Sequence, residues 1–161
     1  MKKCFKGMKF ALILKGILCK EIFMAMKRIL IIDDDKDLVS MLSMYLKTKD
    51  FDVRSAYSYS DIPEELGGVD LIILDINLPT RDGFDICKRI RDKWDMPILF
   101  LSVRVNEEDK IRGLMLGGDD YITKPFSLEG LYARVYTNLN RKERGKGKGL
   151  VLEKGLCSFG G

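Results

Sequence analysis

The chain has 161 residues, 46% of them apolar and 32% charged, with a formal net charge of +4 and no histidine. That length suits one globular domain with extensions, and a chain without histidine can be neither its own phosphohistidine donor nor the bearer of a His general base. Charge is uneven: residues 1–26 carry six Lys against one Glu, residues 141–161 six Lys or Arg against two Glu, and the middle is left near −5, which argues against a single nucleic-acid-binding surface.

Residues 1–25 have a charged start and an apolar middle, but Lys15 and Lys20 interrupt the apolar stretch. It is a poor signal peptide and too short and charged for a membrane span. It reads as an N-terminal extension, mobile or weakly helical, with binding to a membrane surface as the one membrane role open to it. The domain proper is placed at 26–140. It opens on RILIIDDD, an apolar run that delivers Asp33, Asp34 and Asp35. Leu38, Met41, Leu42, Tyr45 and Leu46 then follow helical spacing, and Phe51 to Ala56 reads as a second strand. Ser60 to Leu66 is at best a short helix containing Pro63.

VDLIILDINLP, Val69 to Pro79, is a buried strand running straight into Asp75. Gly83 marks the turn into a helix with Phe84, Ile86, Cys87 and Ile90 on its apolar face, and Pro97 separates that helix from the next strand. PILFLS ends in Ser102. Asn106 is a candidate cap for a helix that buries Ile111, Leu114 and Met115. YITKP delivers Lys124 after a short strand, and Ser127 caps a last helix from Leu128 to about Asn140. Cys4, Cys19, Cys87 and Cys157 show neither metal-ligand nor disulfide-scaffold spacing, so reduced thiols in a cytoplasm are expected.

Strands alternating with helices predict βαβ units: an α/β fold with a parallel sheet covered on both faces. In such a sheet the carboxyl ends of the strands share one rim, where ligands gather. Asp33, Asp34, Asp75, Ser102 and Lys124 would meet there. Taken alone, Asp75 could still be a turn residue. Together, the carboxylates would repel one another in a partly desolvated pocket unless neutralised, and Lys124 with a hard divalent cation such as Mg2+ would serve. Magnesium uses one or two carboxylates with water and phosphate oxygens.

These residues, in this order, resemble the receiver domain of two-component response regulators over roughly Lys27 to Asn140. The paired acids Asp33 and Asp34, the aspartate of LDINLP, the hydroxyl of FLS and the lysine of TKPF match the family's active-site set. The resemblance implies a doubly wound, flavodoxin-like sheet of five parallel strands in the order 2-1-3-4-5. It implies Asp75 as phospho-acceptor, with Mg2+ held by Asp34, by Asp33 partly through water, by Asp75 and by the Asn77 backbone carbonyl. Ser102 and Lys124 would hold the phosphoryl oxygens. The Lys124–Pro125 bond is expected to be cis, and Tyr121 to be a switch aromatic that moves between outward and inward rotamers when the phosphoryl group draws in Ser102.

GGDDYITKPFSLEGLYARV is similar to the OmpR/PhoB, winged-helix type. That similarity implies a homodimer on phosphorylation through the face of the fourth helix, fifth strand and fifth helix, with Lys110, Asp120 and Arg134 at interface positions. Gly130 stands where the acidic partner of Lys110 is usual. Phosphate would come from a sensor histidine kinase or a small phosphodonor, in the cytoplasm. The chain would be a signalling module rather than an enzyme beyond its own phosphotransfer and autodephosphorylation. Residues 141–161 read as a basic linker and the truncated start of an output domain, so DNA would be reached only through a domain absent from this chain. The alternative is a Mg2+-dependent phosphohydrolase using an aspartyl nucleophile, which would normally keep an acid two residues later, where Asn77 stands.

Overall fold

Apolar runs rich in Ile and Leu form the strands β1 (Arg28–Ile32), β2 (Asp52–Ala56), β3 (Leu71–Asp75), β4 (Ile98–Ser102) and β5 (Asp120–Thr123) in a computed structural model that describes residues 26–141. The expectations for residues 1–25 and for the tail beyond 141 lie outside the described residues. All strand pairs are parallel and the order is β2-β1-β3-β4-β5, as expected. Every residue of β3 and β4 is buried, which is why these strands read as unbroken apolar runs.

Alternate residues feed two cores. On one face Leu30, Ile32, Ile72, Leu74, Ile98 and Phe100 meet Phe84, Ile86, Cys87 and Ile90 of α2 (Gly83–Arg91). On the other, Ile29, Ile31, Leu71, Ile73, Leu99 and Leu101 meet Val39, Leu42 and Leu46 of α1 (Lys36–Lys47), with Leu131 and Val135 of α4 (residues 128–141). Fully burying such a side chain contributes about 1.5–3 kcal/mol, so the two faces dominate stability. Asp35 caps α1 by accepting from Asp37 N and Leu38 N at 3.1 and 3.0 Å, and Ser127 caps α4 through Gly130 N at 3.0 Å.

Three local expectations are corrected. Between β2 and β3 the helix expected over Ser60–Leu66 is only a 3-10 turn, Tyr59–Asp61, with extended backbone at Ile62 before Pro63; a residue preceding proline is pushed out of the helical region. Met41 of α1 lies outside the core, among the exposed residues. The third correction concerns α3 (Glu107–Met115), which buries Gly113 instead of Ile111, Leu114 and Met115. These three are exposed, Ile111 at 55% and Met115 at 82%. A Cβ on Gly113 would stand 3.1 Å from ring atoms of Phe100 and Phe84, so the face with no side chain makes the closest approach and the apolar stripe is turned outward. Asn106 sits at the cap position of α3, but its side chain makes no cap bond.

At the end of the sheet remote from the strand C-termini, Arg91 donates to Gly117 O at 2.7 Å and Met96 O at 2.6 Å, and pairs with Asp119 at 2.8 Å. Asp119 in turn accepts from Ile98 N at 2.9 Å. This network ties α2 to the entries of β4 and β5.

Candidate functional site

The parallel register carries the polar residues to one edge. Asp33 follows the last residue of β1, Asp75 and Ser102 end β3 and β4, and Lys124 follows β5. Pairing of Asp75 with Leu101 and of Ser102 with Thr123 sets their level. Asp33 is 1% and Asp75 5% exposed, while Asp34 is in solvent. One carboxylate oxygen from each lies within 4.8 Å of the others. Lys124 reaches in from β5, its Nζ 2.9 Å from Asp33 Oδ2 and 3.6 Å from Asp75 Oδ2. The Lys124–Pro125 peptide is cis, as expected. Asp35, the third acid of the run, is a helix cap and no part of this cluster.

Gly83 shapes the floor. A Cβ there would run into the backbone carbonyl of Asp75 and lie 2.7 Å from Ile76 Cα, so the bare glycine lets the start of α2 press against the end of β3. Gly83 N donates to Ile76 O at 2.9 Å, and Asp82 caps α2 through Phe84 N at 2.8 Å.

Burial raises the Asp75 pKa above its ordinary 3.8, and the neighbouring Asp33 and Asp34 charges add to the rise; the N–H of Asn77 and the Lys124 ammonium act against it. The amine of Lys124 is pulled down by desolvation, yet the hydrogen bond to Asp33 and the charges of Asp75 and Asp33 leave it above 10.5. Three clustered carboxylates with one ammonium among them form a hard oxygen donor set with negative charge in excess, which fits a divalent cation of the magnesium kind.

Asn77 bridges the site to its rim. Its N–H donates to Asp75 Oδ1 at 3.1 Å, and its side-chain amide donates to Ser102 Oγ at 3.3 Å. Ser102 Oγ also accepts from Arg104 N at 3.1 Å. Tyr121 is buried, its hydroxyl donating to Arg104 O at 3.0 Å, so its ring occupies the inward position. Arg104, which its place two residues after Ser102 puts on the same rim, donates from Nε to Asn77 Oδ1 at 2.8 Å. Lys110, Asp120 and Arg134 lie apart from the acid cluster, on α3, β5 and α4. Arg134 Nη1 donates to Asp120 Oδ1 at 2.6 Å, so two of the expected interchain positions are joined within one chain.

A protein-family model described as the response regulator receiver domain matches residues 29–136. Among solved structures, a two-component response regulator from Clostridium difficile is 35% identical, with a TM-score of 0.67 over 72% of this chain and 98% of that one. The BeF3-activated N-terminal receiver domain of Klebsiella pneumoniae RstA is 30% identical, with a TM-score of 0.67 over 71% and 100%. DrrB, an OmpR/PhoB homologue from Thermotoga maritima, is 30% identical with a TM-score of 0.67 over 73% of this chain, and the match spans 54% of that protein. No helix among the described residues is long and apolar enough to cross a membrane. With the sheet order, the acid-lined edge and these matches in agreement, the chain belongs to the response regulator receiver domain family, the phosphorylation-activated signalling modules of two-component systems.

Proposed function

We propose that Asp75 is the phospho-acceptor of this receiver and that Asp33, Asp34, Asp75 and the backbone carbonyl of Asn77 hold Mg2+ beside it. The observation that carries this reading is the packing of three carboxylates within 4.8 Å at the end of β1 and β3, with Lys124 on two of them. Bound there, the metal would supply Lewis-acid neutralisation of phosphoryl oxygens. One Asp75 oxygen attacks phosphorus, and the new O–P bond forms as the donor's N–P or O–P bond breaks. The electron pair leaves with the imidazole of a sensor histidine kinase, which takes up a proton, or with the carboxylate of an acyl phosphate, which needs none. Lys124 Nζ and the Ser102 hydroxyl would donate charge-assisted hydrogen bonds to the incoming phosphoryl oxygens. Asn77 in place of an acid two residues after Asp75 favours a product that persists over the hydrolase alternative.

Output would pass through the surface of α3, β5 and α4, where Ile111, Leu114 and Met115 are exposed. An apolar stripe of this kind suits a second copy of the chain, with Lys110, Asp120 and Arg134 at its polar edge and Tyr121 behind it. Transcriptional control in the OmpR/PhoB manner would rest with a DNA-binding output domain, in the cytoplasm where kinase and Mg2+ are available. The test is labelling by acetyl phosphate with Mg2+, read as a hydroxylamine-labile adduct. Asp75→Asn should lose the adduct, and full labelling of that variant would overturn the assignment.

A further inference from the structure

Arg104 joins three segments around the site. Its Nε donates to Asn77 Oδ1 at 2.8 Å, while its Nη2 and Nη1 face Asp82 and Asp109 at 3.6 and 3.8 Å. The guanidinium lies 5.9 Å from the centroid of the Phe84 ring. Both ionic contacts are long, and the Arg104 side chain is 34% exposed, so they are weak and screened by solvent. Asn77 binds Arg104 through its amide oxygen and Asp75 through its N–H, which puts the guanidinium within a residue's reach of the acceptor carboxylate. A phosphoryl dianion offers a guanidinium parallel charge-assisted bonds that a distant carboxylate does not.

Asp109 lies in the first turn of α3, with Glu107 and Glu108. That helix start is lightly held, because the Asn106 side chain makes no cap bond and Gly113 is the only buried residue of the helix. Arg104 is thus one of the ties holding the α3 N-terminus to the rim.

We infer that Arg104 is a latch between the acceptor site and α3: a phosphoryl group on Asp75 draws the guanidinium off Asp82 and Asp109 and loosens the first turn of α3. The inference rests on the acceptor reading of Asp75. In the full chain with Mg2+ and beryllofluoride, fluorine NMR reports the occupied site, and amide hydrogen exchange reports residues 110–112, whose N–H groups bond back to the first turn. The parent should show bound-fluoride resonances and several-fold faster exchange over that turn. Arg104→Gln, brought to full occupancy by the same resonances at whatever beryllofluoride concentration that takes, should lose the exchange response. Asp109→Asn should speed exchange before any beryllofluoride is added. An Arg104→Gln response equal to the parent's, or unchanged exchange in Asp109→Asn, overturns the latch and leaves Asp75 untouched. Absence of bound fluoride in the parent overturns the acceptor reading itself.

Discussion

Replacing Lys124 with methionine removes the ammonium while keeping most of the apolar stem, so the effect isolates the charge. The ammonium faces Asp33 at 2.9 Å and Asp75 at 3.6 Å, and its own side chain is 19% exposed. Removing one partner of a fully buried pair costs roughly 3–5 kcal/mol; residual hydration of Lys124 brings the expected loss to about 2–3 kcal/mol. Urea denaturation at pH 7 in EDTA measures it. Because the Lys124 amine titrates above 10.5, its contribution is complete below that pH and lost only as pH rises through the raised value. On the acid side the gap between parent and variant narrows as Asp75 takes up its proton. Mg2+ at a hundred times its dissociation constant adds about 2.7 kcal/mol to a protein that binds it only when folded. The variant, with no competing ammonium, should gain more than the parent, closing the gap to below about 1 kcal/mol. A gap that is absent in EDTA, or that Mg2+ leaves unchanged, would refute the view that lysine and metal neutralise the same acids.

Asp75→Asn should be more stable than the parent at pH 7 without metal. The raised pKa means that folding with a charged Asp75 is penalised from about 3.8 upward, so the advantage should grow as pH rises from there. Denaturation midpoints across that range check the sign. Gly83→Ala should cost about 1–3 kcal/mol by overpacking and slow acyl-phosphate formation, since the added methyl displaces the Asp75 carbonyl. Met115→Glu should leave stability within about 0.5 kcal/mol and labelling intact, yet abolish beryllofluoride-dependent dimerisation in sedimentation velocity; a dimer that persists counts against the α3 surface.

The sheet and its acidic edge were legible because strands buried on both faces leave unbroken apolar runs, and each run stops at the residue that reaches the rim. Asp75, Ser102 and Lys124 stand there with no further assumption than parallel pairing. Helical periodicity in Ile111, Leu114 and Met115 marked a real apolar stripe, but spacing reports a face and not what covers it. Phe100 and Phe84 take the space beside Gly113, so the sheet meets α3 along its smallest residue. The stretch after Tyr59 was ambiguous because Pro63 permits a helix start as well as a stop. The position of Arg104 after Ser102 put it on the rim, but its partners were not legible: a long side chain spans Asn77 and Asp82, both distant in sequence, as well as the nearby Asp109.

Arg91 fastens Met96, Gly117 and Asp119 at the end of the sheet opposite the acids. The domain therefore resembles a hand fixed at the wrist. A base tied in this way is expected to stay in place when the strand tips rearrange, leaving the loops and α3 to move. Amides around Ile98 should then rank among the slowest to exchange whatever the state of the rim.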